Sequence, residues 1–263
     1  MLKKYSNLLY ALFRTSLISD LEFRMNLAIR VLTDIIWYAV QLSIFEVLFT
    51  HTNSISGWTH ESTRVFMGIL FVVDALYMLL FSENLDQFND RVRKGDLDLL
   101  LSKPVNSQFM ISVQKMSTAY LINFFLALGW VLYSLGNLPE PIPATRLLLL
   151  FITIPAALFV CYGIRLCFSA MGLIFTRAEN VNYLWFQLYR LGMRPDSLYP
   201  SWLRYTILSI LPVGFIASVP TRLLIHTPDW TLFSLQILFG ALALIGSRMF
   251  WNFSLKFYSS ASS

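Results

Sequence analysis

Leu147 to Phe175 reads LLLLFITIPAALFVCYGIRLCFSAMGLIF, and the one charged side chain in the whole stretch is Arg165. About 20 mostly apolar helical residues cross the ~30 Å hydrocarbon layer of a bilayer, because a helix satisfies its backbone polar groups within its own segment. This run is longer than that, and its mixture of Leu, Ile, Phe and Ala is continuous rather than alternating. A β-barrel strand would show about ten residues of apolar and polar alternation, so a transmembrane helix is the reading.

Working outward from it, similar runs appear along most of the chain. Of 263 residues, 56% are hydrophobic and 13% charged, with 22 Phe, 12 Tyr and 7 Trp, more apolar bulk than a soluble domain of this length encloses in one core. Further spans are expected over Asn26–Phe49, Val65–Phe81, Phe109–Leu135 and Trp230–Phe253. A fifth span in chain order is ambiguous. Val181–Met193 is short and contains Arg190, whereas Thr206–Ile225 is more apolar but carries Pro212 and Pro220. The expected fold is therefore an all-α integral membrane protein with six transmembrane helices in one domain, residues 1–263.

Residues 1–24 are basic and then apolar, but Arg14, Asp20, Glu22 and Arg24 interrupt the run and no Ala-x-Ala site follows, which argues against a cleaved signal peptide. Leu2, Tyr5, Leu9, Leu12, Phe13 and Leu17 recur at helical spacing while Lys3, Lys4 and Arg14 fall elsewhere. That pattern is an amphipathic helix lying in the membrane interface. Alternatively, it is the start of the first span.

Lys and Arg in the short loops set the orientation. Lys3, Lys4, Arg14, Arg24, Arg91, Arg93, Lys94, Lys103, Arg177 and Lys256 fall on one side. The opposite loops, His51–Ser62, Gly136–Thr145 and His226–Asp229, contain neither residue. Both termini are thus expected in the cytoplasm. Arg190, Arg194 and Arg204 obey the rule if Thr206–Ile225 is the fifth span and violate it if Val181–Met193 is.

Chemistry-bearing motifs are sparse. Cys161 and Cys167 share one span on different faces, and His51, His60 and His226 lie in outside loops without a ligand cluster, so neither a disulfide nor a metal site is expected. No Gly is followed by Lys, which excludes a GxxxxGK[ST] phosphate loop, and GxSxG and HExxH are also missing. No cofactor and no nucleic acid partner is expected on this chain.

Charges inside the spans carry more information, since each demands a partner or a water-filled path. Arg30 and Asp34 are spaced i, i+4 on the first span, and Glu46 lies farther along it. Asp74 and Lys115 sit roughly 10 Å inside the cytoplasmic ends of their spans, and Arg165 somewhat deeper. A polar cluster in the inner half of the bundle is expected from Asp34, Asp74, Lys115 and Arg165, acting either as a gate or as a structural ion network. Aromatics such as Trp37, Tyr38, Phe124, Phe125 and Trp130 fit a lipid-facing belt or the lining of an amphiphile pathway.

Between the second and third spans, Arg91–Val105 reads RVRKGDLDLLLSKPV. Gly95 breaks the preceding segment and Asp96 is a suitable N-cap. Leu97, Leu100 and Leu101 then form an i, i+3, i+4 apolar face, and Lys103 and Pro104 end the helix. Such a face wants a partner groove, the lipid surface or the chain's own bundle.

The stretch RKGDLDLLLSKPVNSQF, Arg93–Phe109, resembles the segment of type-2 ABC exporter permeases that leads into their third span. SLYPSWLRYTILSILPVGFIASVPTRLLI, Ser197–Ile225, is similar to the same family's pattern before the last span, and the wording PVGFIASVP is close to a branch of six-span permeases. The resemblance implies a multi-pass subunit of a bacterial cytoplasmic membrane. That subunit pairs with a second permease, identical or paralogous, within membrane lipid, and two cytoplasmic ABC ATPase subunits dock on it. It implies that residues 83–107 form the coupling loop, contacting the ATPase through Arg93, Gly95, Asp96, Leu97, Leu100, Leu101 and Pro104. It also implies a re-entrant helical hairpin within residues 198–225, marked by Tyr199, Pro200, Trp202, Arg204, Pro212, Pro220 and Arg222, with Glu179–Met193 as the fifth span. The other function classes are a channel or scaffold subunit and a secondary transporter; the latter usually shows internal repeats, and none is found between the halves.

Overall fold

The computed structural model describes residues 2–175 and 180–258, with Leu2 described by its backbone alone; Arg177 and Glu179 lie outside the described residues. The described residues are mostly helical, with one two-stranded ribbon among them, β1 (Ser54–Ile55) paired antiparallel to β2 (Trp58–Thr59).

Helix α1 (Leu2–Glu22) precedes α2 (Arg24–Phe49). After the ribbon, Thr59 and Ser62 form a capping box that starts α3 (His60–Tyr77), each side chain meeting the other's backbone N–H. A π-helical turn, Met78–Ser82, continues α3 into α4 (Glu83–Asp86) and α5 (Phe88–Lys94), giving one long rod from His60 to Lys94. Gly95 ends it at φ +78°, a left-handed conformation open to glycine at little cost. Next come α6 (Asp96–Leu101) and α7 (Ser107–Val113), the latter capped by the Asn106 side chain, which accepts from Phe109 N–H. The remaining helices are α8 (Tyr120–Gly136), α9 (Ala144–Ile174), α10 (Val181–Gly192), α11 (Ser201–Ser209), α12 (Ser218–Ile225) and α13 (Trp230–Ser254).

Four of these segments are long and apolar enough to cross a membrane: Arg24–Phe49, His60–Lys94, Ala144–Ile174 and Trp230–Phe257. The expected span Phe109–Leu135 is not one helix. It is interrupted between α7 and α8, and α8 alone, at 17 residues, is about 25 Å long. The backbone freed at the break finds partners. Lys115 N–H donates to Asn84 Oδ1 at 3.0 Å and its carbonyl accepts from Asn84 Nδ2 at 2.6 Å. Met116 N–H reaches Ser16 Oγ at 3.0 Å, Ser117 N–H the Leu79 carbonyl at 3.1 Å, and Thr118 N–H Asp20 Oδ2 at 2.8 Å. Such satisfaction is what irregular backbone at membrane depth requires. It also fixes α1 along this junction. On α1, Tyr5, Leu9, Leu12, Phe13 and Leu17 are half-buried and Lys3, Lys4 and Arg14 exposed.

Neither candidate for the fifth span forms a full-length helix. α10 has 12 residues, and Thr206–Ile225 is divided by a break at Leu211–Pro212 and a 3-10 turn, Val213–Phe215, between α11 and α12. Pro212 lacks the N–H that would continue α11, which accounts for the division.

The rod's first part, α3, is the centre of the molecule. From Val65 to Ala75 every side chain is buried, against α2, α8, α9 and α12. By contrast α2 buries only Tyr38 and Phe45, and leaves Met25, Ile29, Leu32, Ile36, Val40 and Val47 exposed as an apolar stripe. α9 and α13 pack along each other through small residues: a Cβ at Gly163 would lie 2.5 Å from the Ala243 carbonyl oxygen, and one at Gly240 3.1 Å from that of Ala156. Small residues at such crossings let backbones approach and make dispersion contacts.

Candidate functional site

Of the residues expected to form a free docking face, two are enclosed. Leu97 is 1% exposed and Leu100 5%, packed with Leu85, Phe88, Ile111, Leu166 and Trp251, and Leu101 is half-buried against the same cluster. The apolar face of α6 is therefore taken up by the chain's own bundle. The outward surface is Arg93, Lys94, Asp96, Leu99, Lys103 and Pro104, with Leu99 70% exposed. Asp96 is the first residue of α6 rather than its cap; Gly95 occupies the cap position and no side chain caps the helix. Lys4 of α1 donates to the Pro104 carbonyl at 3.3 Å, tying the amphipathic helix to this loop.

The four charges expected to cluster are divided among three places. Lys115 meets Glu83, whose carboxylate also takes Ser117 Oγ and, at 3.4 Å, Arg30 Nη1. Arg165, fully buried on α9, binds Asp86 Oδ1 at 2.7 Å, the Leu85 carbonyl at 2.9 Å and Asn182 Oδ1 at 2.7 Å. Asp34 and Asp74 stand apart from both and line one cavity. Glu46, the remaining acid expected within a span, is engaged by Arg64 at 2.7 and 2.8 Å and by His60 at 2.8 Å.

Glu83, Asn84 and Asp86 thus make α4 a polar junction of the fold, one face holding α2 and the α7–α8 junction and the other holding α9 and α10. A reading of residues 83–107 as a coupling loop passes over them. Their spacing at i and i+3 directly below an apolar run is the available signal.

The cavity of about 350 Å³ is bounded by α2, the end of α3, the start of α8, and α10. Asp74, 5% exposed, accepts from the Tyr189 hydroxyl at 2.7 Å and from that of Tyr38 at 3.4 Å. Asp34 accepts from Asn123 Nδ2 at 2.8 Å. Trp37, Tyr120, Trp185 and Phe186 complete much of the wall, with Arg190 exposed at the rim. Tyr38 and Trp37 therefore contribute to a cavity wall. Phe125, 67% exposed, does not line it.

At the ribbon end, the region 198–225 is organised around a residue that sequence reasoning passes over. Asp196 is fully buried; Arg204 Nε donates to Oδ2 at 2.8 Å, and Arg222 Nη2 lies 2.7 Å from Oδ1 in an ion pair outside hydrogen-bond geometry. The Arg222 guanidinium also lies 5.9 Å from the Trp58 ring centroid, and Trp58 Nε1 donates to Ser197 Oγ at 2.9 Å. Tyr199 donates to the Leu191 carbonyl at 3.0 Å, Pro200 and Pro212 precede α11 and the 3-10 turn, Pro220 lies buried in the first turn of α12, and Trp202 is 70% exposed. The arrangement is a helix, a break and a second helix held to the ribbon.

No curated protein and no solved structure matches the chain significantly. One family model does, described as ABC-2 family transporter protein, and it covers residues 35–262, from the middle of α2 past the end of α13. With four apolar helices of membrane-crossing length among the described residues and a match over most of its length, the chain belongs to the ABC-2 transporter family, as a multi-pass membrane component of an ABC transporter and not its ATPase.

Proposed function

We propose that the chain is the transmembrane subunit of an ATP-driven exporter in a bacterial cytoplasmic membrane, paired with a second permease and driven by two ATPase subunits that bind its cytoplasmic side. The family match over residues 35–262 carries this reading. The basic loops favour placing both termini, α5 and α6 in the cytoplasm. The exposed apolar stripe of α2 suits lipid or a second permease.

The coupling surface is Arg93, Lys94, Asp96, Leu99 and Lys103 around α6, presented on a helix whose inner face, Leu97 and Leu100, anchors it in the bundle. A helix anchored in this way transmits force. Motion of the ATPase against Leu99 passes through α6 into α5 and along the rod to α4 and α3. Residues 198–225 serve as the re-entrant segment, with Asp196, Arg204 and Arg222 closing its base at the outer surface.

Co-purification of an ABC ATPase with the tagged chain from its native membrane, identified by mass spectrometry, tests the reading. Wild-type chain captures the ATPase and stimulates its turnover, and Leu99→Asp or Arg93→Glu abolishes capture with the chain still folded. Capture unchanged by both variants places the contact elsewhere; no capture by wild type removes the ATP-driven reading.

A further inference from the structure

The cavity containing Asp34 and Asp74 has a composition that selects by charge. Asp34 accepts from one amide and Asp74 from two phenols, yet among the described residues neither carboxylate has a salt-bridge partner. The near cation, Arg30, turns its Nη1 to Glu83 and Ser117. Arg190 stands at the exposed rim, so the inner part of the cavity holds two acids and no base. A buried carboxylate left uncompensated is costly, and a ligand that brings positive charge removes that cost.

The walls suit one kind of cation. Trp37, Tyr38, Tyr120, Trp185, Phe186 and Tyr189 surround the acids. Trp37 and Tyr38 have ring centroids 5.4 Å apart, and so do Trp185 and Tyr189, so the aromatic surface is continuous on both α2 and α10. Aromatic faces attract cations and also accept flat apolar rings, whereas a small hydrated metal ion would need a closer set of oxygen ligands. A volume of about 350 Å³ holds a molecule of a few fused rings.

We propose that this cavity binds a lipophilic organic cation, its charge placed between Asp34 and Asp74 and its rings against Trp37, Trp185 and Tyr189. The identification of this ligand as the exported substrate rests on the exporter reading; the binding itself does not, since it requires neither ATPase nor nucleotide.

The test is equilibrium binding of ethidium, a planar aromatic cation, to the purified chain in detergent, read by fluorescence polarisation. Wild type binds saturably. Asp34→Asn and Asp74→Asn each weaken binding at least tenfold, and 6-phenylphenanthridine, the uncharged ring system, fails to compete at concentrations where tetraphenylphosphonium does. Asp34 lies at a half-buried position, so Asp34→Asn keeps the test decisive should Asp74→Asn fail to fold. Equal binding by wild type and the folded Asn variants overturns the proposal, as does equal competition by the uncharged compound or the absence of saturable binding. Ethidium binding without ATPase capture would sink only the exporter reading. Capture without binding would sink only this one.

Discussion

Arg165 of α9 and Asp86 of α4 form an ion pair at 2.7 Å in which the arginine is wholly buried and the carboxylate about one-third exposed. It is one of the contacts that hold the rod to α9, beside the Leu85 carbonyl, which accepts from Arg165 and from Ser169. Removing one partner of such a pair is costlier than removing both, because the survivor keeps its charge without compensation.

Asp86→Ala should therefore destabilise the chain by about 3 kcal/mol, and Asp86→Ala with Arg165→Met by less, since the second change withdraws the orphaned charge. Thermal unfolding of the detergent-purified variants checks this; a double variant less stable than Asp86→Ala would refute the account.

Leu97 and Leu99 are two residues apart on α6 and should behave oppositely. Leu97→Ala opens a cavity in the cluster with Leu85 and Trp251 and should cost about 2–5 kcal/mol, whereas Leu99→Asp, on an exposed side chain, should stay within about 0.5 kcal/mol. Unfolding curves of the two variants separate anchoring from docking, and equal losses would remove the distinction.

At the α9–α13 crossing there is no room for a side chain on Gly163, whose added Cβ would stand 2.5 Å from the Ala243 carbonyl. Gly163→Val should lower stability by about 3 kcal/mol or more, while Gly246→Ala, which meets nothing within 4 Å, should be neutral or slightly stabilising through helix propensity. Melting temperatures in the same detergent decide the ordering.

Asp196 is fully enclosed, while Arg204 is 43% exposed and Arg222 19%. Losing the acid leaves two arginines, of which Arg204 is open to water. Losing both arginines strands a buried carboxylate. Arg204→Ala with Arg222→Ala should accordingly be more destabilising than Asp196→Ala, by roughly 1–2 kcal/mol. Equal unfolding midpoints would show that the acid is not the buried member that matters.

Apolar run length and the basic loops suffice to read a helical membrane protein from the chain, because a bilayer imposes a length and a composition on each segment that crosses it. Arg93–Phe109 and Ser197–Ile225 carry enough of the family's pattern to suggest it from residue order alone. What local sequence does not state is how polar groups choose among distant partners. Lys115 could meet Asp34 or Asp74, but the π-helical turn after α3 and the break before α8 bring Glu83 and Asn84 to it instead. Leu97 and Leu100 have the pattern of a docking face, and only the position of Trp251 and Leu166, contributed from far along the chain, shows that their groove is internal. The same packing leaves Asp34 and Asp74 together in an aromatic cavity: periodicity assigns a side chain to a face of its own helix, and tertiary structure alone decides what stands opposite that face.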